Sequence, residues 1–392
     1  MDKARLDSGI VEINPYSGEK RPAQFYYIDL DAVTAGELTK DVIVSRDEAP
    51  SRAQRLLNVN DILFQTVRPY QQNNYFFQKE RELRTVASTG YAQLRTGNNP
   101  LYIYYSLHQD EFVREVNNRC TGSSYPAINP SELGRCSIYF ETDRTLQDNI
   151  ASVLAATDEA IGVSRALVEK YAAVKQGLMQ DLLGKGERVK LVDVGAILIS
   201  GVDKHIKPEE IPVRLCNYTD VYNNRYIVHD MPFMLGSVRP SELRRFKLRD
   251  GDVIITKDSE TPNDIGIPAV VCGDIDGLVC GYHLAIIRPF QGKYDGRFVM
   301  LALQTHEAVK YFSCMANGIT RYGMTIKTIE NQTIYAPQDL DEQRHIADII
   351  LAADERLTTE RKRLTKLVDI KRGLMEDLLS GRVRTDNLQG GI

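Results

Sequence analysis

The side chains with most to offer a partner sit in five short polar stretches on turn-forming sequence. In the first half of the chain they are Ser51, Arg52, Gln54 and Arg55, then Arg68, Tyr70, Gln71 and Asn73, then Ser123, Ser124 and Tyr125. In the second half they are Lys257, Ser259, Thr261 and Asn263, then Thr320, Arg321 and Tyr322. Arginine carries a fork of donors, and Asn and Gln hold a donor beside an acceptor. Such groups can read base edges, Arg on guanine and Asn or Gln on adenine, while Lys, Arg, Ser and Thr suit phosphates. Each residue taken singly also suits a solvated loop with no partner. The loops as groups favour a shared task, because both halves place them at equivalent points. Tyr125 and Tyr322 could stack on a partner or anchor their loops in the core. The basic cluster Arg244, Arg245, Lys247 and Arg249 is flanked by Glu242, Asp250 and Asp252 and reads as a solvated face.

Bond-breaking chemistry has no comparable support. There is no G-x-x-x-x-G-K-[ST] phosphate loop and no glycine-rich dinucleotide fingerprint after a strand. No Pro-Asp dipeptide occurs, so the usual nuclease pattern lacks its start. Asn14-Pro15-Tyr16 resembles only part of the Asn-Pro-Pro-Tyr of amino-group DNA methyltransferases, and a loop turn explains it better. The six histidines (108, 205, 229, 283, 306 and 345) are scattered. The six cysteines form no C-x-x-C pair, which argues against structural zinc and for reduced thiols. No catalytic residue and no metal ligand is assigned, and a binding and assembly role is expected.

The elements that must position these loops are duplicated. Gln147–Leu183 aligns with Gln343–Leu379 without a gap. The ends agree best: Lys175-x-Gly-Leu-Met-x-Asp-Leu-Leu183 against Lys371-x-Gly-Leu-Met-x-Asp-Leu-Leu379. Both segments lack proline and are rich in strong helix formers, so they predict long helices. Leu154, Ile161, Val168 and Leu178 form an apolar seam in the first, and Ile350, Leu357, Leu364 and Leu374 match it in the second. An antiparallel pair of the two helices is the simplest arrangement. Gly184 and Gly381 are candidate C-terminal caps. Gly177 and Gly373 lie inside the helices, where glycine is unfavourable, which suggests close packing there.

The remaining segments repeat more weakly. Asp61-Ile-Leu-Phe64 corresponds to Asp252-Val-Ile-Ile255, and Gly90-Tyr91 to Gly281-Tyr282. Probable helices follow at Gln109–Arg119 and Arg297–Met315, then small-polar turns ending at Tyr125 and Tyr322. The fold class expected is α+β, two globular segments alternating with two long helices in a pseudo-twofold duplication.

With 392 residues the chain suits two domains plus additional elements. Its net charge of −4 is unlike that of a free-standing nonspecific DNA binder, so any nucleic-acid role must rest on local patches or partner subunits. No apolar run is long enough for a membrane span or a signal peptide, and a cytoplasmic protein is expected.

The duplicated helix with its K-x-G-L-M-x-D-L-L ending, the Ala49-Pro-Ser-Arg-Ala-Gln-Arg55 run and the Gly251-Asp-Val-Ile strand resemble the specificity subunit of type I restriction-modification enzymes. The resemblance covers nearly the whole chain. It implies target recognition domains at 1–142 and 187–337, conserved helical spacers at 143–186 and 338–386, and a flexible tail at 387–392. Each recognition domain would read one half of a split double-stranded DNA target. The helices would pair as an antiparallel coiled coil, set the spacing and dock two methyltransferase subunits, with restriction and translocase subunits joined indirectly. The chain itself would be non-catalytic and hold no cofactor. S-adenosylmethionine, ATP and Mg would belong to partner subunits. The alternative is a scaffold that joins partners through its helices and binds no DNA.

Overall fold

A computed structural model describes residues 1–384. The chain forms two compact units, residues 1–165 with 362–384, and residues 166–361. The division falls inside both long helices. It therefore differs from the segment boundaries the resemblance implies at 142, 186 and 337. The tail expected at 387–392 lies outside the described residues.

Each unit mixes sheet and helix, and the two repeat one plan. In the first, Asp2–Arg5 pairs antiparallel with Ser137–Phe140. A four-stranded sheet runs Glu12–Ile13, Tyr91–Arg95, Ile62–Gln65, Tyr75–Phe76. A second runs Ile43–Ser45, Gln24–Ile28, Thr85–Ser88, Ala53–Leu56, its middle pair parallel. In the second unit, Glu187–Lys190 pairs antiparallel with Thr333–Ala336. A five-stranded sheet runs Gly195–Ile199, Leu284–Pro289, Val253–Thr256, Pro268–Val271, Tyr226–Ile227. A three-stranded sheet runs Met234–Val238, Ile211–Cys216, Leu278–Cys280, with Ile211–Cys216 and Leu278–Cys280 parallel.

The central strands explain why the weaker repeat was visible. Ile62–Gln65 and Val253–Thr256 are buried along their whole length, so both read as unbroken apolar runs closed by one polar residue. The aspartate before each is also buried and fixed in the same way. Asp61 takes Arg95 Nε at 2.8 Å and Nη2 at 2.9 Å. Asp252 takes Arg288 Nε at 2.8 Å and Nη2 at 2.7 Å. A buried carboxylate needs such a two-point partner to offset its lost hydration.

Two short helices follow in each unit, Pro100–Ser106 and Asp110–Asn118, then Gly296–Ala302 and His306–Met315. The single helix expected over 297–315 is thus two. Leu303–Thr305 interrupts it, and the Thr305 hydroxyl caps the second helix by accepting the Ala308 amide.

The long helices span Arg144–Leu183 and Leu340–Leu379, 40 residues each. Leu154, Ile161, Ile350 and Leu357 are buried, while Val168, Leu178, Leu364 and Leu374 are half-buried. In the first unit, Ile150, Ala151 and Leu154 share a core with Leu378 and Leu379. Asp158 accepts from Lys371 Nζ at 2.6 Å. In the second unit, Leu183 shares a core with Ile346, Ala347 and Ile350, and Lys175 pairs with Asp354. Within each unit, numbering falls on one helical segment as it rises on the other, so the segments are antiparallel. The two ion pairs join the same repeat positions reciprocally. Gln147 and Gln343 tie the helix starts to the globular segments. Gln147 accepts from the Asn99 amide at 2.9 Å and donates to Glu141 O at 2.6 Å. Gln343 accepts from the Asp295 amide at 3.0 Å and donates to Pro337 O at 2.8 Å.

Two glycine expectations change. A Cβ added at Gly177 or Gly373 meets no atom within 4 Å, so close packing does not explain either. Gly381 adopts the left-handed conformation of a cap, φ +75°. After the first helix that conformation falls to Gly186, φ +100°, and Gly184 does not take it. No helix among the described residues is long and apolar enough to cross a membrane.

Candidate nucleic-acid interface

Each unit builds a joint where the chain leaving its central strand meets a five-residue loop. In the first unit, the loop is closed at its base by Thr121 and Ala127, which exchange backbone hydrogen bonds of 2.9 Å in both directions. In the second, Asn317 and Gly323 do the same at 3.1 and 2.9 Å. A positive-φ glycine opens each loop, Gly122 at +92° and Gly318 at +153°. A Cβ on Gly122 would lie 3.1 Å from Tyr125 O, and one on Gly318 only 1.9 Å from Arg321 O. The loops therefore superpose Gly122 on Gly318 and Tyr125 on Arg321. Tyr125 and Tyr322, matched by sequence, are one place out of step.

In the first unit, Arg68 donates its backbone N–H to Pro126 O at 2.7 Å and sits in the left-handed region, φ 55°, ψ 53°. That conformation costs a residue with a Cβ about 1–2 kcal/mol. The Arg68 guanidinium lies 4.4 Å from the centroid of the Tyr125 ring, and Tyr125 is 67% exposed. Arg68 Nε is buried and has no hydrogen-bond partner among the described residues. Tyr70, Ser123 and Ser124 are exposed beside this pair in sequence. Gln71 and Asn73 are engaged internally: Gln71 Oε1 accepts from Gln65 Nε2 at 2.9 Å, and Asn73 Oδ1 from the Ala35 amide at 3.0 Å.

The Ser51–Arg55 stretch reaches the joint through residues 89 and 90. Arg52 O accepts the Thr89 amide at 2.8 Å, and Gly90 O accepts the Thr66 amide at 3.0 Å. Ser51 and Arg52 are exposed, with Arg52 Nε donating to Tyr27 Oη at 3.3 Å. Gln54 turns back to Ser51 O at 2.7 Å. Arg55 is half-buried in Ala53–Leu56, its Nε without a partner, and burial pulls its guanidinium below the usual value.

In the second unit, the expected residues come together more tightly. Ser259 is paired in register with Tyr322, and Asp258 with Gly323. Lys257 Nζ donates to Asp258 Oδ2 at 2.7 Å, and His283 Nδ1 lies 3.1 Å from the same oxygen. Arg321 is exposed and places Nη2 2.9 Å from His283 Nδ1 and 2.8 Å from Nε2. Burial lowers the His283 pKa, against the raising effect of the Asp258 hydrogen bond. Thr320 is exposed. Ser259 is buried and accepts from Tyr218 Oη at 3.3 Å. Thr261 donates to Asp264 at 2.7 Å and Asn263 accepts from Ser313 at 3.2 Å. Tyr322 is half-buried against the core, which makes it an anchor.

His283 and Asp258 were not singled out by sequence. The signal was present in Gly281-Tyr282-His283, which begins at the glycine matched to Gly90. Among the described residues no group of three or more His, Cys, Asp or Glu side chains could hold a metal ion.

No protein-family model matches the chain. Two Methanocaldococcus jannaschii proteins do. The one named as the specificity subunit of the type I restriction enzyme MjaVIII is 22% identical over 398 aligned residues, covering 95% of this chain and 91% of that one. The one named for the type I restriction enzyme MjaX is 24% identical over 318 residues, covering 74% and 70%. The chain is similar to the specificity subunits of type I restriction enzymes. The solved type I restriction-modification S subunit from M. genitalium matches with a TM-score of 0.58 at 15% identity, covering 96% of each chain. A chain from a structure of type I restriction-modification complex assembly matches with a TM-score of 0.52 at 17% identity, covering 97% and 98%. The likeness to specificity subunits thus extends in fold over nearly the whole chain, as mixed helix and sheet.

Proposed function

We propose that this chain is the DNA sequence-recognition subunit of a type I restriction-modification complex. Each globular segment reads one half of a two-part, asymmetric target. The long helices join the two segments and take up two methyltransferase subunits. The chain is non-catalytic in this reading, and cofactor chemistry belongs to its partners. The observation that carries the reading is a loop frame present twice with unlike side chains. Thr121–Ala127 and Asn317–Gly323 close in the same way, yet one presents Ser123, Ser124 and Tyr125 and the other Ile319, Thr320 and Arg321. A frame repeated with different polar surfaces suits reading two different sequences. Likeness to named specificity subunits supports the same reading.

The test is to co-express the full chain with its methyltransferase subunit and map methylated bases in host DNA by single-molecule sequencing. The expected result is a stable complex and one interrupted motif with unlike halves. Arg52→Ala is expected to weaken binding to that motif more than to random DNA. A complex that forms but methylates without a split motif would sink the proposal. So would failure to associate with the methyltransferase subunit when both proteins are present.

A further inference from the structure

We propose that Arg68 and Arg321 each read a guanine, so that each half of the target contains a G·C pair contacted by one arginine. This rests on the DNA-recognition reading above and adds the base and the residue. Both joints set a loop-side or strand-side arginine beside a ring, by different means. In the first unit the arginine comes from the strand exit and the aromatic ring from the loop, with Arg68 stacked 4.4 Å from the Tyr125 centroid. In the second, the loop supplies Arg321 at the place Tyr125 occupies, and its partner ring is His283, just before the neighbouring strand Leu284–Pro289, with Arg321 Nη2 2.8 Å from His283 Nε2. Stacking on the Tyr125 ring holds the Arg68 guanidinium plane and leaves its edge donors unused, whereas Arg321 spends Nη2 on His283 and keeps Nε and Nη1 outside that contact. Among the described residues neither arginine has a carboxylate within ion-pair distance.

Two further observations point to a waiting partner. Arg68 holds a left-handed conformation that disfavours every residue with a Cβ, and it precedes Pro69. His283 is itself braced by Asp258, which is in turn paired with Lys257, so the prop under Arg321 is fixed. A pre-oriented fork of donors without a carboxylate matches the O6 and N7 acceptors of guanine in the major groove. The other exposed arginine of the predicted loops, Arg52, lacks this geometry: its Nε is bonded to the Tyr27 hydroxyl.

The experiment uses the assembled methyltransferase complex with the full chain. Arg68→Ala, Arg68→Lys, Arg321→Ala and Arg321→Lys are compared with the unchanged chain by methylation mapping and by fluorescence binding. The expected result is position-specific. Arg68→Ala relaxes one G·C position in one half-site, with discrimination there falling about 10- to 100-fold, and leaves the other half-site intact. Arg321→Ala does the same in the other half. The Lys variants keep the charge and a donor that can reach guanine but lose the fork, so they are expected to retain part of the G·C preference, between the Ala variants and the unchanged chain. A motif unchanged in sequence with a uniform loss of affinity that lysine restores would assign these arginines to phosphates and overturn the proposal. A wild-type motif with no G·C pair in one half would also overturn it, while leaving the DNA-recognition reading standing. Absence of any split motif in the wild type would remove that reading itself. Circular dichroism and co-purification of each variant separate loss of fold from loss of reading.

Discussion

Removing Arg288 is expected to damage the second unit more than removing Arg95 damages the first, although the two arginines hold equivalent carboxylates. Asp252 is 1% exposed and receives three donors: Arg288 Nε at 2.8 Å, Arg288 Nη2 at 2.7 Å and the Arg249 amide at 2.9 Å. Arg288→Ala leaves one of the three. An uncompensated buried carboxylate costs about 3–5 kcal/mol. Asp61 is equally buried, yet it also receives Gln93 Nε2 at 2.7 Å and the Asn58 amide at 2.7 Å. Arg95→Ala therefore leaves two donors, and Arg95 is itself the more exposed arginine, 32% against 18%. A hydrogen bond to a charged group contributes about 1.5–3 kcal/mol, so the Arg95 variant is expected to lose less by roughly that amount. Hydrogen exchange followed by mass spectrometry reads each unit separately in the full chain. At tenfold per 1.4 kcal/mol, amides of Val253–Thr256 in Arg288→Ala should exchange at least roughly 100-fold faster. A change below tenfold, or a larger effect from Arg95→Ala, would refute the reasoning. Replacing both Asp252 and Arg288 by leucine should recover much of the loss, because no buried charge then remains.

Two further outcomes are expected. Gly177→Ala and Gly373→Ala should each stabilise the chain by up to about 1 kcal/mol in urea titrations, since an added methyl meets nothing within 4 Å; destabilisation would refute the expectation. His108 is held by burial at about 4, from an ordinary 6.5. It binds its proton more weakly folded than unfolded, so stability is expected to fall as pH drops from 6.5 to 4, by about 3 kcal/mol at most. His108→Gln should flatten that part of a urea-midpoint profile, and an unchanged slope would exclude His108 as its source.

Sequence reading recovered the elements with periodic or repeated composition. The long helices were legible because a forty-residue seam without proline has few alternatives, and Asp61 and Asp252 because each precedes a fully buried strand. Arg95 and Arg288 were not legible as their partners, since strand pairing alone brings them near. The joints were half visible. Composition identified polar loops but could not distinguish Asn73 or Thr261, engaged in holding a turn, from Ser124 or Thr320, left exposed. It also aligned Tyr125 with Tyr322, because matching residue types outweighed a register that only the backbone bridges define. His283 went unnoticed because its role depends on a ring position beneath Arg321, which no local pattern encodes.

Each of the two loops hangs between a pair of main-chain bonds, Thr121 with Ala127 and Asn317 with Gly323, and those bonds make no demand on the side chains between them. Among the residues between them, Ser123, Ser124, Ile319 and Thr320 are exposed, whereas the leading glycines hold the turns and Tyr322 anchors its loop in the core. Single substitutions at 123, 124, 319 and 320 can then drift without unfolding anything, while the buried aspartates, helix seams and paired strands stay under tight constraint. Such a chain can diversify at its tips much faster than in its frame, and its two halves can do so independently.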